Sequence, residues 1–528
     1  MQARAEQSLQ RGELLAAVVW AQIAADFAWH RHPGFYASQA LESLLLQVAE
    51  AQEESMNGGI NFSRTAALPG NCSKPRILHV VTQAYRTGGH TRLLERLILN
   101  SSDCYTHSLV ATAQKSPLPD WLFSAVKASG GWYTSLSLST PQLLKRAGSL
   151  KRLSRSWADI VFLHTHPYDT LPTLAFGGSG GPPVVLVNHA DHVFWLGASV
   201  VDVVADYRLA GQAISLSRRG VRASRILPIS LSEPGRGMAS SLARENLGID
   251  DDSVVLLTIA SPYKYTPFGG YDFIETVTEI LARNKRAILL AVGPRAEGRW
   301  LDASRRVDGR IRAMGLQDDL QKYHACADIY LDSFPFGSFT SMLETCVRGV
   351  PVIGLTNLHV PMYTNLDVTP EKSRTHVDAL DEYISLLEKL IADPDFRRVK
   401  GNEDRAYMSA RHLLPGWNDY LQAIMSALPE SHSVGRTLEL STDMDTHDFF
   451  LAGFNALYDA HYTPTISLRK HARHFPFLTR CDLLLQSRRG ADNNGQLPFK
   501  TCLGEFPRFI LNRAVSLFNQ NRHQNSIR

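Results

Sequence analysis

Residues 331–355 read LDSFPFGSFTSMLETCVRGVPVIGL. Leu331 closes one apolar strand, Val352–Leu355 forms another, and between them a Gly-rich loop runs into a short helix. The loop and helix start, FPFGSFTSMLE, put Gly337, Ser338, Thr340 and Ser341 where the helix should begin. A helix N-terminus presents unpaired backbone N–H groups and partial positive charge, so it suits a phosphate. Small hydroxyl residues there cap the helix and can also donate to phosphate oxygens. Glu344 follows about one turn later, roughly 3–4 residues on, where a carboxylate accepts hydrogen bonds from ribose hydroxyls. Phosphate donors followed by a ribose acceptor describe a site for a nucleotide diphosphate. The same residues also fit an ordinary capped helix in an α/β domain, so the segment alone does not decide.

Working outward, the chain alternates strands and helices, which predicts parallel sheets. A first series begins at RILHVVTQ, with strands expected at Ile77–Val81, His107–Ala111, Ile160–His164, Val184–Asn188, Tyr207–Ala210 and Arg225–Leu227. A second has strands at Val254–Ile259, Ala287–Val292, Ile329–Leu331 and Val352–Leu355, with Ile311–Met314 left unplaced. PISLSEPGRGMASS joins the two series as a linker. Residues 8–54 carry two helical patterns broken by HRHPG. The expected organisation is a helical hairpin over 1–56, a polar linker over 57–75, a first Rossmann-like domain over 76–233, a second over 250–428, and an appendage of unassigned role over 429–528. The segment PGWNDYLQAIMSAL is a candidate to cross back onto the first domain.

The chain resembles glycosyltransferases of the GT-B architecture, in which two Rossmann-like domains face each other across a cleft. The resemblance spans roughly Pro75 to Leu428 and includes Glu344 followed by Gly349, Pro351, Val352 and Ile353. The loop is most similar to that of the O-GlcNAc transferase family and its bacterial N-glucosyltransferase relatives, through Asp332, Pro335, Gly337, Thr340 and Ser341. Retaining lipopolysaccharide-type enzymes carry a second Glu ahead of the first, and here that position is Phe336. The resemblance therefore implies an inverting, metal-independent transferase with a nucleotide-diphosphate sugar as donor substrate and no further cofactor. The acceptor domain would be the first and the donor domain the second. The alternatives are a retaining polysaccharide or lipopolysaccharide transferase, a non-catalytic scaffold and a sugar-nucleotide 2-epimerase.

Other loops follow strands and should open into the same cleft. TIASPYKYTPFGG carries Lys264, whose charge would offset that of the leaving diphosphate; an ordinary solvated lysine is the plainer reading. TQAYRTGGHTRLLERLI places Gly89, His90 and Arg92 at a helix start behind the tight turn of Gly88 and Gly89, and lacks the third glycine of a dinucleotide fingerprint. HTHPYDTLP offers His166 and Asp169, and NHADHVFWLG offers His189, Asp191 and His192. Their spacing matches no established metal pattern, so no metal site is expected. Asp191 and His189 lead as general base, with His90 behind them. Donor binding is assigned to Lys264, His324, Gly337, Ser338, Thr340, Ser341 and Glu344, and acceptor binding to Gly89, His90, Arg92, His166, Asp169 and His192. Trp195 and Phe194 read as core.

Composition narrows the partners. The 528 residues carry a net charge of +4 from 55 basic and 51 acidic side chains, too balanced for nucleic-acid binding. Six cysteines are scattered without a paired motif, and no leader or membrane-spanning run is evident. A cytoplasmic location is expected, extending to peripheral contact with the inner face of the membrane. The expected acceptor is a glycan, a lipid-linked glycan or a protein.

Overall fold

The computed structural model describes residues 1–56, 74–86, 89–139, 142–235, 237–355, 376–377, 379–435, 437–441, 446–459 and 461–489. Apolar runs of up to six residues, buried almost throughout in the central strands, form its strands. In the first sheet these are β1 (Arg76–Val81), β2 (Thr106–Ala111), β3 (Tyr133–Ser135), β4 (Ile160–His164), β5 (Val184–Asn188), β6 (Val203–Asp206) and β7 (Ser224–Ile226). The second holds β8 (Val254–Ile259), β9 (Ala287–Val292), β10 (Ile311–Gly315), β11 (Ile329–Leu331), β12 (Val352–Leu355) and β13 (His376–Val377). The sheet orders are β3-β2-β1-β4-β5-β6-β7 and β10-β9-β8-β11-β12-β13. Every pairing is parallel. Burial on both faces explains why the strands read as solid apolar blocks rather than alternating ones.

Each order reverses direction at one point, between β1 and β4 in the first sheet and between β8 and β11 in the second. Ligand crevices of open α/β sheets form at such points, beyond the strand C-termini. The helix Gly416–Ser426 leaves the second domain and packs on β7, with Trp417, Leu421 and Ile424 buried beside Ile77 and Phe162. Trp417 Nε1 donates to the Pro228 carbonyl at 2.7 Å, which ties this return to the linker.

Several expectations are corrected here. Tyr207–Ala210 is not a strand: Val203–Asp206 is, because its valines are fully buried, and a helix begins at Leu209. Residues 1–56 hold three helices, Gln2–Gln10, Leu14–His30 and Gln39–Met56; the first is mostly polar, buries only Ala5 and Ser8, and so carries little apolar periodicity. The unplaced Ile311–Met314 is β10, and the short β3 and β13 were not anticipated. The helix Ser240–Leu247 begins inside the expected linker and packs on the helix Gln321–Cys326 of the second domain. The linker 57–75 lies outside the described residues except for Lys74 and Pro75, as does Gly88. Phe194 and Trp195 are buried core.

The described part of the appendage is docked. Phe475 and Leu483 join the apolar core of the Leu14–His30 helix. The helix Thr446–Tyr458 carries Asp448, fully buried, which accepts from His32 at 2.7 Å and Arg218 at 2.9 Å. Its other face packs on the second domain, with Phe450 4.6 Å from Phe268 and Tyr458 4.0 Å from Tyr263 between ring centres. Removing one partner of a buried charge pair costs about 3–5 kcal/mol. Asp448→Ala is therefore expected to speed amide hydrogen exchange across Thr446–Tyr458 well ahead of the two sheets, and unchanged exchange there would show that the pair does not hold the helix.

Candidate functional site

The two switch points face one another, and a cavity of about 210 Å³ lies between them. The first domain lines it with Gly89 and His90 after β1, Asn188, His189, Asp191 and His192 after β5, and Tyr207 and Arg208 after β6. The second domain supplies Lys264 after β8, and Phe336, Gly337, Phe339 and Thr340 after β11.

The loop after β11 is held by its own polar groups. Asp332 accepts from the backbone amides of Ser333 at 3.0 Å and Ser338 at 2.6 Å. Ser338 Oγ donates to the Ile259 carbonyl at 2.7 Å, so its hydroxyl fastens the loop to β8. The helix Phe339–Cys346 starts directly after it, with Thr340 at the cavity wall and Ser341 half-buried. Lys264 Nζ donates to the Gly337 carbonyl at 2.8 Å and lies 4.9 Å from the Phe336 ring centre. Burial pulls its pKa down to about 8; Asp332 opposes that fall and Arg208 adds to it.

Arg208 was not among the expected site residues. It is buried and clamps Asp191 through two donors, Nε at 2.8 Å and Nη2 at 2.6 Å, while its guanidinium lies 5.5 Å from the Phe339 ring centre. Burial alone would raise the Asp191 pKa, but Arg208 and His192 outweigh it and hold the carboxyl well below its usual range. The backbone of this loop is fastened from below: Arg219, fully buried, donates to the carbonyls of Asp191 at 2.8 Å and Val193 at 2.7 Å. Gly211 lets the next helix approach, since a Cβ there would stand 2.9 Å from Asp191 Cβ. The signal for Arg208 was an arginine at the end of a buried valine strand, hidden by placing that strand four residues late.

Burial keeps His90 and His189 neutral. His90 and His189 lie 4.1 Å apart between ring centres. Burial, then its histidine neighbours, push His90 well below its ordinary value, and burial takes His189 to about 4. His90 Nε2 is buried with no hydrogen-bond partner among the described residues. His192 also lines the cavity, 3.2 Å from Asp191.

Besides Ser338 and Ser341, five expected residues stand outside the cavity lining. Arg92 pairs with Glu95 at 2.8 Å and lies over Trp121, outside the cavity lining. Asp169 is buried within the first domain, accepting from Thr82 at 2.7 Å and Thr112 at 2.6 Å, and does not reach the cavity. His324 sits behind the phosphate-loop helix, 3.1 Å from Thr345 Oγ1, with burial lowering its pKa to about 4. Glu344 is reached from the opposite domain: Arg96 Nη2 donates to it at 2.6 Å, an ion pair that bridges the cleft. His166 lies beside the cavity, 6.4 Å from His90 between ring centres.

No protein-family model matches the chain, and no curated protein sequence matches it either. Solved structures do. HepE of Anabaena, in complex with UDP, matches at 14% identity over 67% of this chain and 100% of its own, with a TM-score of 0.50. The chain has the GT-B architecture. A mutant O-GlcNAc transferase of Thermobaculum terrenum matches at 14% identity over 84% of this chain and 78% of its own, TM-score 0.46. A glycosyltransferase of Rickettsia africae matches at 13% identity over 67% and 99%, TM-score 0.48. At these identities the likeness is one of fold.

The Arg208–Asp191 pair makes a direct prediction about this site. Arg208→Ala leaves a buried carboxylate without its partner and should destabilise the first domain by about 3–5 kcal/mol, whereas Arg208→Met with Asp191→Leu should recover most of that. Denaturant unfolding of the three variants, followed by near-ultraviolet circular dichroism, checks it; a double variant no better than the single one counts against the pairing.

Proposed function

We propose that this protein transfers a sugar from a nucleotide-diphosphate sugar to a hydroxyl of a glycan, lipid-linked or protein acceptor. The observation that carries the reading is the convergence of Lys264 and Arg208, from opposite domains, on one cavity whose floor begins the helix Phe339–Cys346. A lysine and an arginine with a helix N-terminus beside them favour an anion, part of the Arg208 charge being met by Asp191. UDP in HepE, on the same fold, agrees with a diphosphate.

In this reading Lys264, Arg208 and the backbone amides of Phe339, Thr340 and Ser341 take the diphosphate, with Thr340 and Ser341 adding hydroxyl donors. Charge on the departing phosphate grows toward the transition state, so these groups act mostly there. Glu344 takes the ribose hydroxyls, and Arg96 shares it across the cleft. His90 is the favoured base: it is neutral, and its buried Nε2 has no partner among the described residues. His189 stands beside it. Both Asp191 oxygens are engaged, Oδ2 by Arg208 and Oδ1 by His192, so neither is open to an acceptor hydroxyl. The role of Asp191 is to aim Arg208. One displacement from the face opposite the diphosphate would invert the anomeric centre, with no metal required.

The decisive test is a screen of nucleotide sugars by mass spectrometry, with hydrolysis scored for each donor and proton NMR of the donor incubated alone. Donor cleavage supports the reading. Neither binding nor cleavage would indicate a scaffold, and an epimerised donor would indicate an epimerase. Activity that vanishes on chelation and returns with manganese would overturn the metal-free route.

The pH dependence follows from the signs of the shifts. His90 is already neutral near pH 6, so acid should not remove the base until well below its ordinary value. Lys264 loses its proton as pH rises through about 8, and the positive charge that receives the diphosphate goes with it. Donor kcat/KM should therefore be level from about pH 6 to 7.5 and fall above about 8. Lys264→Arg should carry the fall to much higher pH; a limb that stays in place assigns it to another group.

A further inference from the structure

We propose that a groove beside the cavity is a subsite for an anionic group on the acceptor, and that the acceptor is an acidic saccharide. This rests on the transferase reading above. Three loops at the C-terminal ends of neighbouring strands form its floor: Tyr85 follows β1, Lys115 follows β2 and His166 follows β4. The appendage forms its far wall, where the helix Pro464–His471 and the turn after it bring Lys470 and Arg473 over those loops.

The cluster reaches toward the cavity through His166. His166 lies 6.4 Å from His90, and the Tyr85 ring stacks on His166 at 6.0 Å with 3° between planes. Trp29 stands 6.0 Å from His166 and 5.7 Å from Tyr168, and Lys470 Nζ lies 4.3 Å from the Tyr168 ring centre. Aromatic faces next to cations suit a sugar ring that bears an acid: the ring's C–H face packs on the aromatic, and the acid meets the charge.

The charges here are unbalanced. Lys115, Lys470 and Arg473 are exposed. The nearby carboxylates are turned inward: Asp26 is fully buried and occupied by Lys470, Tyr462 and Ser467, while Asp169 is occupied by Thr82 and Thr112. Asp26 thus meets part of the charge of Lys470. The charges that bear on Lys115 are Arg473 and Lys470, both positive, and they add to burial in lowering its pKa. His474 falls to about 3, first through burial and then through Arg473, His471, Arg146 and Lys115. A visiting carboxylate or phosphate would relieve this repulsion, and a neutral sugar would not.

The test compares the wild-type protein with Lys115→Ala/Arg473→Ala, two exposed positions whose loss should leave the fold intact. The probes are p-nitrophenyl glucoside, the matching glucuronide and the matching glucoside 6-phosphate, titrated by calorimetry at low salt with UDP present. The expected result is that the wild type binds both anionic glycosides about ten-fold or more tighter than the neutral one. The double variant should erase that difference and leave acceptor-free donor hydrolysis unchanged. Equal affinity for all three glycosides, or no binding of the anionic pair, overturns the proposal. So does a double variant that loses only its sedimentation with phosphatidylglycerol vesicles, since the cluster would then be a membrane contact. Donor hydrolysis is scored separately: its absence removes the transferase reading, while the glycoside titration still decides whether the groove is an anion subsite.

Discussion

Lys264 and Arg208 face the same small cavity from opposite domains, and the Arg208 charge adds to burial in lowering the pKa of Lys264. Much of the surrounding structure can be understood as what such an arrangement requires. Arg208 is given Asp191, and Asp191 is fixed by Arg219 from beneath and by the close approach that Gly211 allows. Lys264 donates to the Gly337 carbonyl and feels the more distant Asp332, whose Oδ1 accepts from two loop amides. The two cations are thus held in different ways, Arg208 by a carboxylate and Lys264 by a carbonyl.

The polar groups of the cleft also fall into two kinds. Ser338, Asp332 and Asp169 look like ligand groups in a linear reading, yet their hydrogen bonds are spent on holding loops in place. Groups whose atoms are not so spent, such as His90 Nε2, are fewer. Burial gives this distinction its force, because an enclosed polar atom without a partner is costly and is retained where something else repays it.

The two parallel sheets were legible because strands buried on both faces leave solid apolar blocks, and Val254–Ile259 or Ile160–His164 cannot be mistaken for helix faces. The loops at the strand ends were legible for the same reason, which brought Lys264, His189 and the phosphate loop into view together. Arg208 was lost through a four-residue shift in one strand, since VVADYRLA carries apolar residues on both sides of the boundary. Arg96 was lost because its partner Glu344 lies 248 residues away, on the other side of the cleft. The appendage was opaque for a further reason: Asp448 and Asp26 are buried through partners scattered over the whole chain, and local periodicity carries no trace of that.

The helix Thr446–Tyr458 touches the N-terminal helices through His32, the first domain through Arg218 and the second through Phe268, Tyr263 and Phe336. A hinge between two bodies normally has one degree of freedom set by the segments that join them. Here a third body, made of the N-terminal helices and the described part of the appendage, is fastened to both sides of that hinge at once. Any swing of the sheets must be shared with it, so the travel of the cleft is set by the stiffness of a strut rather than by the linkers alone. Exchanging the ends of such a chain would retune how far the cleft opens without altering a residue inside it.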